Sequence, residues 1–326
     1  MAEREDDAES LVLALERGDR RALGRAITLV ESERPEDAER AERLVARART
    51  RSSASVRLGV SGPPGAGKST LIDVLGRHAI AAGERVAVLA IDPSSPVGGG
   101  SLLGDKTRMA RLAGEAASFI RPSPSRGTPG GIARRTREAV ELCEAAGYSL
   151  VIVETLGTGQ GEHAVAGVVD VVVLVVIPGA GDELQGMKRG LVELSDVIVV
   201  NKSDGAQRAA AERAASELTT ALGFFARTAH ETSRPVLTLS AQEERGIPEL
   251  WAAITARVAQ ARASGAFVAR RAAGERRSFE EEVEQALRAR LAGPELAAER
   301  ARLEGEVLAQ RLTPREAARR LVAKLP

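Results

Sequence analysis

At 326 residues, with 44% hydrophobic and 28% charged residues, the chain has ordinary globular usage and room for one large α/β domain plus helical extensions. Its net charge of +1 gives no bulk electrostatic argument for nucleic acid, and its single cysteine, Cys143, rules out an internal disulfide. The longest apolar run, Val168 to Ile177, is broken by Asp170 and too short to span a bilayer, and the polar start MAEREDDAES is no signal peptide, so the expected address is the cytoplasm, away from membranes.

Residues 1–53 read as a charge-rich helical extension, with a break at Gly18-Asp19, an amphipathic stretch from Ala22 to Val30, and a helix start at Pro35. From 54 to 263, short β-branched runs alternate with helical segments. The strand candidates are Val56–Val60, Val86–Ile91, Leu150–Glu154, Val171–Ile177, Val197–Val200 and Val236–Leu239, a pattern of parallel βαβ units. Residues 264–326 form a helical tail interrupted at Gly293-Pro294, where Thr313-Pro314-Arg315-Glu316 supplies an N-cap, a first-turn proline and a capping-box glutamate. Phe279, Val283, Leu287 and Leu291 recur at steps of four, which suits either a dimer seam or packing onto the chain's own core.

Between the first strand and the helical pattern opening at Thr70, Gly62-Pro63-Pro64-Gly65-Ala66-Gly67-Lys68-Ser69 fills every fixed position of the phosphate-loop pattern GxxxxGK[ST]. Glycines let backbone N–H groups turn inward around a phosphate chain, and the following helix points its positive end at the same anions. Lys68 can reach the β and γ phosphates, and the Ser69 hydroxyl can ligate Mg²⁺. The expected fold is therefore a P-loop NTPase of the α/β class, with a mostly parallel central sheet flanked by helices and N- and C-terminal helical extensions.

After the strand Val197–Val200 comes Asn201-Lys202-Ser203-Asp204, the NKxD pattern. The Asp204 carboxylate can accept hydrogen bonds from N1–H and the exocyclic amine of guanine, a donor pair that adenine lacks on that edge, so GTP/GDP is the expected nucleotide. Ser240-Ala241, at the next strand end, is placed to add a backbone contact to the base. Asp92 and Glu154 end neighbouring strand candidates, where ligands of open parallel sheets collect, and both are candidates for Mg²⁺ or its waters; Asp105 is a third. Helix capping or a solvated loop acid is the other reading of each. The stretches Pro96–Gly104 and Gly157–Glu162 are candidate switch loops, and Gln160 is a candidate for orienting water, although its spacing from Glu154 differs from the DxxGQ arrangement.

The phosphate loop, Ile91–Ser95, Gly104–Met109, Arg121–Pro124, Val153–Thr155 with Gly159-Gln160, and Pro178–Gly186 together resemble the MeaB/ArgK/MMAA GTPases of the G3E group, over about Gly18 to Leu325. The resemblance implies a GTPase chaperone of an adenosylcobalamin-dependent acyl-CoA mutase, most often methylmalonyl-CoA mutase, with slow intrinsic hydrolysis stimulated by the partner. By matching positions it implies phosphate and Mg²⁺ held by Lys68 and Ser69, a magnesium and catalytic set of Asp92, Asp105 and Glu154, and guanine read by Asn201, Lys202 and Asp204. It further implies coupling to the mutase through Gly157, Gln160, Asp182, Gln185 and Lys188, and a homodimer formed through the tail. Leu156, Thr158 and Gly161 depart from the residues more usual in the family at these positions. The competing readings are a GTP-regulated scaffold and a kinase linked to basic amino-acid transport; a metallochaperone would need a cysteine pair or histidine tract that one cysteine and three histidines do not supply.

Overall fold

The structure, a computed structural model, describes residues 2–50, 55–92, 108–124, 129–155, 166–179, 189–229 and 234–325. Seven strands form its sheet: β1 (Val56–Ser61), β2 (Val86–Asp92), β3 (Ser118–Pro124), β4 (Leu150–Glu154), β5 (Val171–Val176), β6 (Val197–Val200) and β7 (Val236–Thr238). The described helices are α1 (Ala2–Glu16), α2 (Arg20–Val30), α3 (Pro35–Arg49), α4 (Lys68–Ala81), α5 (Ala110–Ala113), α6 (Pro129–Ala145), α7 (Arg189–Leu194), α8 (Arg208–Ala229), α9 (Ile247–Ala263), α10 (Ala266–Ala292), α11 (Pro294–Leu308) and α12 (Pro314–Val322).

All strand pairs are parallel, in the order β3-β2-β4-β1-β5-β6-β7. Burial on both faces explains why β5 reads Val-Val-Val-Leu-Val-Val without alternation. Leu58 and Val60 of β1 and Val173 and Val175 of β5 pack with Leu71 and Leu75 of α4 and Leu250 and Ile254 of α9. On the opposite face, Leu89, Val151 and Val153 share a core with Leu15, Leu23, Ile27 and Leu44 from α1 to α3 and with Val140 and Leu142 of α6. Leu218 and Leu222 of α8 cover Leu174, Val176, Ile198 and Val200 on that same side. With β1 between β4 and β5, chain order reverses at the strand that leads into the phosphate loop, which is where open α/β sheets place ligands.

The strand β3 is an addition to the expected set. Pro122 and Pro124 mask its pattern, and both are tolerated because β3 is the edge strand of the sheet, paired among the described residues with β2 alone. Arg121 ties it to α2, its Nη2 donating to Glu31 Oε2 at 2.5 Å and Thr28 Oγ1 at 3.2 Å. Asp19 caps α2 by accepting from the Arg21 and Ala22 amides at 2.8 and 3.2 Å, which explains the expected break.

The chain divides into compact units of Met1–Ala273 and Gly274–Pro326. In the second, Thr313 caps α12 by accepting from the Glu316 amide at 3.2 Å, as its sequence signature predicts. Phe279, Val283 and Leu287 on α10 are exposed, Phe279 by 68%. Among the described residues no helix is long and apolar enough to cross a membrane.

Charge is buried at the amino-terminal edge of the sheet. Arg57 of β1 donates from Nε and Nη2 to the two carboxylate oxygens of Glu144, each at 2.8 Å. Asp170 accepts from the Arg57 amide at 2.9 Å and from Arg271 Nε and Nη2 at 2.8 and 2.6 Å. Burial pushes the Glu144 carboxyl pKa up, but the Arg57 fork, the Ser55 hydroxyl and the Arg271 charge outweigh it and hold the group below its ordinary value. A depressed folded pKa makes the contribution of Glu144 present at neutral pH and lost as the pH falls through the ordinary carboxylate range toward the lowered value. Glu144→Leu, which strips buried Arg57 of its two-pronged carboxylate partner, is expected to cost roughly 3–5 kcal/mol in denaturant unfolding, whereas Arg57→Met with Glu144→Leu should recover much of the loss. Glu144→Gln should flatten the part of the acid limb that this carboxylate contributes.

Candidate nucleotide-binding site

The phosphate loop leaves β1 through a glycine that the packing requires. Gly62 has φ 146°, and a Cβ there would lie 2.1 Å from the Val175 carbonyl oxygen of β5. Gly65 and Gly67 take left-handed conformations, φ 75° and 84°, and a Cβ on Gly67 would meet Asn201 Nδ2 at 2.6 Å. Gly67 is the N-cap of α4 and offers no side-chain cap, so the first amides of that helix face the loop with no side chain of the cap competing for them. Lys68 is buried, and its ammonium donates to the Gly62 and Pro63 carbonyls at 2.7 and 3.0 Å. That holds a cation against the backbone of the phosphate loop, where it attracts anions.

On the metal side, the Ser69 hydroxyl donates to Glu154 Oε1 at 2.8 Å, and Glu154 is buried at the carboxyl end of β4. A hydroxyl and a carboxylate in contact are hard oxygen donors of the kind Mg²⁺ takes, so this part of the site fits that ion. Parallel register pairs Ala90 with Glu154, which puts Asp92 two residues further along the neighbouring strand β2. Asp105, Gly157, Gln160, Asp182, Gln185 and Lys188 lie outside the described residues.

The base side is built where β6 and β7 end. Buried Asn201 donates from Nδ2 to the Ala66 carbonyl at 2.8 Å and accepts from the Ala241 amide at 3.1 Å. Thus Ala241 spends its N–H on Asn201, a use that the motif alone does not reveal. The Ser240 hydroxyl donates to Asp204 Oδ1 at 2.8 Å. Lys202 is exposed with φ 59°, a left-handed turn between two buried neighbours, Asn201 and Ser203. Thr70, in the first turn of α4, follows Ser69. Two residues that no motif marks also belong here: Glu244, which pairs with Arg77 of α4 and Arg111 of α5, and Arg245, whose guanidinium donates to the Ser203 carbonyl.

The residues expected to bind phosphate and those expected to read a base therefore meet at one edge of the sheet, joined through Asn201. Over residues 23–295 the chain matches the family model described as methylmalonyl Co-A mutase-associated GTPase MeaB. The chain belongs to the MeaB/ArgK/MMAA family of GTPases. A probable GTPase of Mycobacterium tuberculosis is 50% identical over 267 residues, 82% of this chain and 80% of the relative. GTPase ArgK of Escherichia coli is 49% identical over 247 residues, 76% of this chain and 74% of that one. The mouse (Mus musculus) methylmalonic aciduria type A homolog is 43% identical over 273 residues, 81% of this chain and 66% of the homolog. Among solved structures, one described as LAO/AO transport system kinase superposes with a TM-score of 0.77 at 36% identity and covers 97% of both chains. Membership in this GTPase family accords with a site that pairs a phosphate loop with an NKxD turn.

Within this MeaB-family loop the glycines are unequal. Gly62→Ala drives a Cβ into backbone and is expected to abolish nucleotide binding and lower the melting temperature. Gly65→Ala meets no atom within 4 Å among the described residues and carries a left-handed backbone penalty of roughly 1–2 kcal/mol, so its melting temperature should fall far less. Differential scanning fluorimetry of both variants checks the contrast.

Proposed function

We propose that the protein is a GTP-hydrolysing chaperone of an adenosylcobalamin-dependent acyl-CoA mutase, most directly methylmalonyl-CoA mutase, gating cofactor loading and protecting or reactivating the mutase. The observation that carries the nucleotide half is the junction of phosphate loop and NKxD turn through Asn201. The mutase half rests on the family description over residues 23–295 and on the likeness to a methylmalonic aciduria type A homolog.

In this reading the amides of Gly65, Gly67, Lys68 and Ser69 and the Lys68 ammonium hold the β and γ phosphates, and the Asp204 carboxylate, oriented by the Ser240 hydroxyl, accepts from guanine. Ser69 and Glu154 would hold Mg²⁺, with Asp92 and Asp105 completing the set, and the ion when bound would neutralise charge on the phosphates. The protein's own work is positioning and charge stabilisation, since phosphoryl transfer to water asks for little covalent help. The Lys68 ammonium keeps a charge at the leaving and transferred phosphates without a proton transfer of its own. In this reading intrinsic hydrolysis is slow, and the mutase raises it by engaging the segments bearing Gly157, Gln160, Asp182, Gln185 and Lys188. Residues 264–326 would serve as a dimer arm, with the exposed Phe279, Val283 and Leu287 as its seam.

The likeness to a structure described as a transport system kinase keeps one other reading open, transfer of the γ-phosphate to a protein acceptor. Both are separated by measuring released phosphate and protein-bound label from γ-labelled GTP, with and without the mutases of the source organism. Phosphate release, raised by one mutase and absent in Lys68→Ala, is the expected result. Label on a protein in place of free phosphate would favour the kinase, and turnover unchanged at saturating mutase would remove the chaperone reading.

A further inference from the structure

We infer that Arg245 is a positioning residue for guanine discrimination, acting by holding both residues that fix the Asp204 carboxylate. The inference rests on the guanine reading proposed above and names a residue that the NKxD pattern does not contain.

Asp204 is half-buried, begins the short 3₁₀ turn Gly205–Gln207, and makes no capping hydrogen bond with its own side chain. Its orientation is set by Ser240, whose hydroxyl donates to Oδ1 at 2.8 Å. Arg245 fixes Ser240 through the backbone: the Ser240 amide donates to the Arg245 carbonyl at 3.1 Å, and the Arg245 amide donates to the Ser240 carbonyl at 3.0 Å. The guanidinium then reaches the other strand's loop. Its Nη2 donates to the carbonyl of Ser203, the residue directly before Asp204, and lies 3.4 Å from the Ser203 hydroxyl. One residue thus grips the peptide that carries Asp204 and the residue whose hydroxyl aims it.

The loop around this grip has little freedom to compensate. Lys202 and Glu244 hold left-handed backbone conformations, φ 59° and 56°, which non-glycine residues keep only where the surroundings determine them. Gly246 follows with φ 82°, and a Cβ on it would lie 2.8 Å from Leu239 Cβ and 2.9 Å from the Thr238 carbonyl, so the loop is seated directly on β7. Glu244 braces the opposite side against Arg77 and Arg111. The competing explanation is a surface arginine paired with Glu243, but that contact is 3.5 Å long between half-exposed side chains and gives no reason for the bond to Ser203.

Inosine diphosphate differs from GDP only in lacking the exocyclic amine, the group for which the aim of the Asp204 carboxylate matters most. Calorimetric titration of the full-length protein with both nucleotides gives a ratio that isolates this contact. The unmodified protein is expected to prefer GDP by about tenfold or more, the worth of a hydrogen bond to a charged acceptor. In Arg245→Met the preference should shrink to about two- to threefold, with affinity for inosine diphosphate nearly unchanged. Arg245→Lys, which keeps the charge without the fork, should fall between, and it carries the same test if the methionine variant fails to melt cooperatively. Equal losses for both nucleotides, or no loss for either, would overturn the inference. A native protein that bound GDP and inosine diphosphate alike would instead sink the guanine reading on which it stands.

Discussion

One buried amide joins the two halves of the site. Asn201 spends its donor on the Ala66 carbonyl of the phosphate loop and its acceptor on the Ala241 amide beyond β7, at 2.8 and 3.1 Å. An amide side chain offers both functions in one plane and without ionising, and either partner left unsatisfied would cost about 1–3 kcal/mol. Gly67 is tied to the same constraint, because any Cβ there would strike the Asn201 nitrogen. The phosphate loop therefore leans on the strand that presents the NKxD turn, and the spacing between the two motifs is built into the packing.

β1 is pinned at both of its ends by unlike means. At its start Arg57 is locked into a buried fork with Glu144, and at its finish Gly62 passes so close to β5 that a methyl group cannot fit. Buried ion pairs return little net stability against a well-packed apolar alternative, but breaking one is expensive, so they resist the wrong arrangement. The fork continues through Asp170 to Arg271 of α10, and Arg270 of the same helix bonds Asp196 at 2.8 and 3.1 Å. The root of α10 is thus anchored to the strand edges whose opposite ends border the nucleotide site.

Much of this was legible in the sequence because the signals are local. The β-branched runs of β1, β2, β4, β5, β6 and β7, the phosphate loop and the NKxD turn each reveal themselves within a few residues, and the sheet sets them along one edge. β3 was not legible, since Pro122 and Pro124 forbid an interior strand and only its place at the edge makes them harmless. Nor were the roles of Glu244 and Arg245, which depend on meeting residues such as Arg111 and Ser203 far away in the chain. The same holds for Ser69 with Glu154, 85 positions apart, where the sequence offered three acidic candidates and the fold supplied the contact.

In the proposed function, the edge formed by Gly62–Ser69, Asn201–Asp204 and Ser240-Ala241 binds a guanine nucleotide through Asp204. Competition binding of GTP and xanthosine triphosphate to the native protein and to Asp204→Asn tests it most directly. Xanthine carries a carbonyl where guanine carries the amine, so an amide in place of the carboxylate should reverse a native preference for GTP of about tenfold or more into a preference for xanthosine triphosphate. A preference unaffected by the substitution would contradict the assignment of Asp204 to the base, and with it the reading of this edge as a guanine nucleotide site.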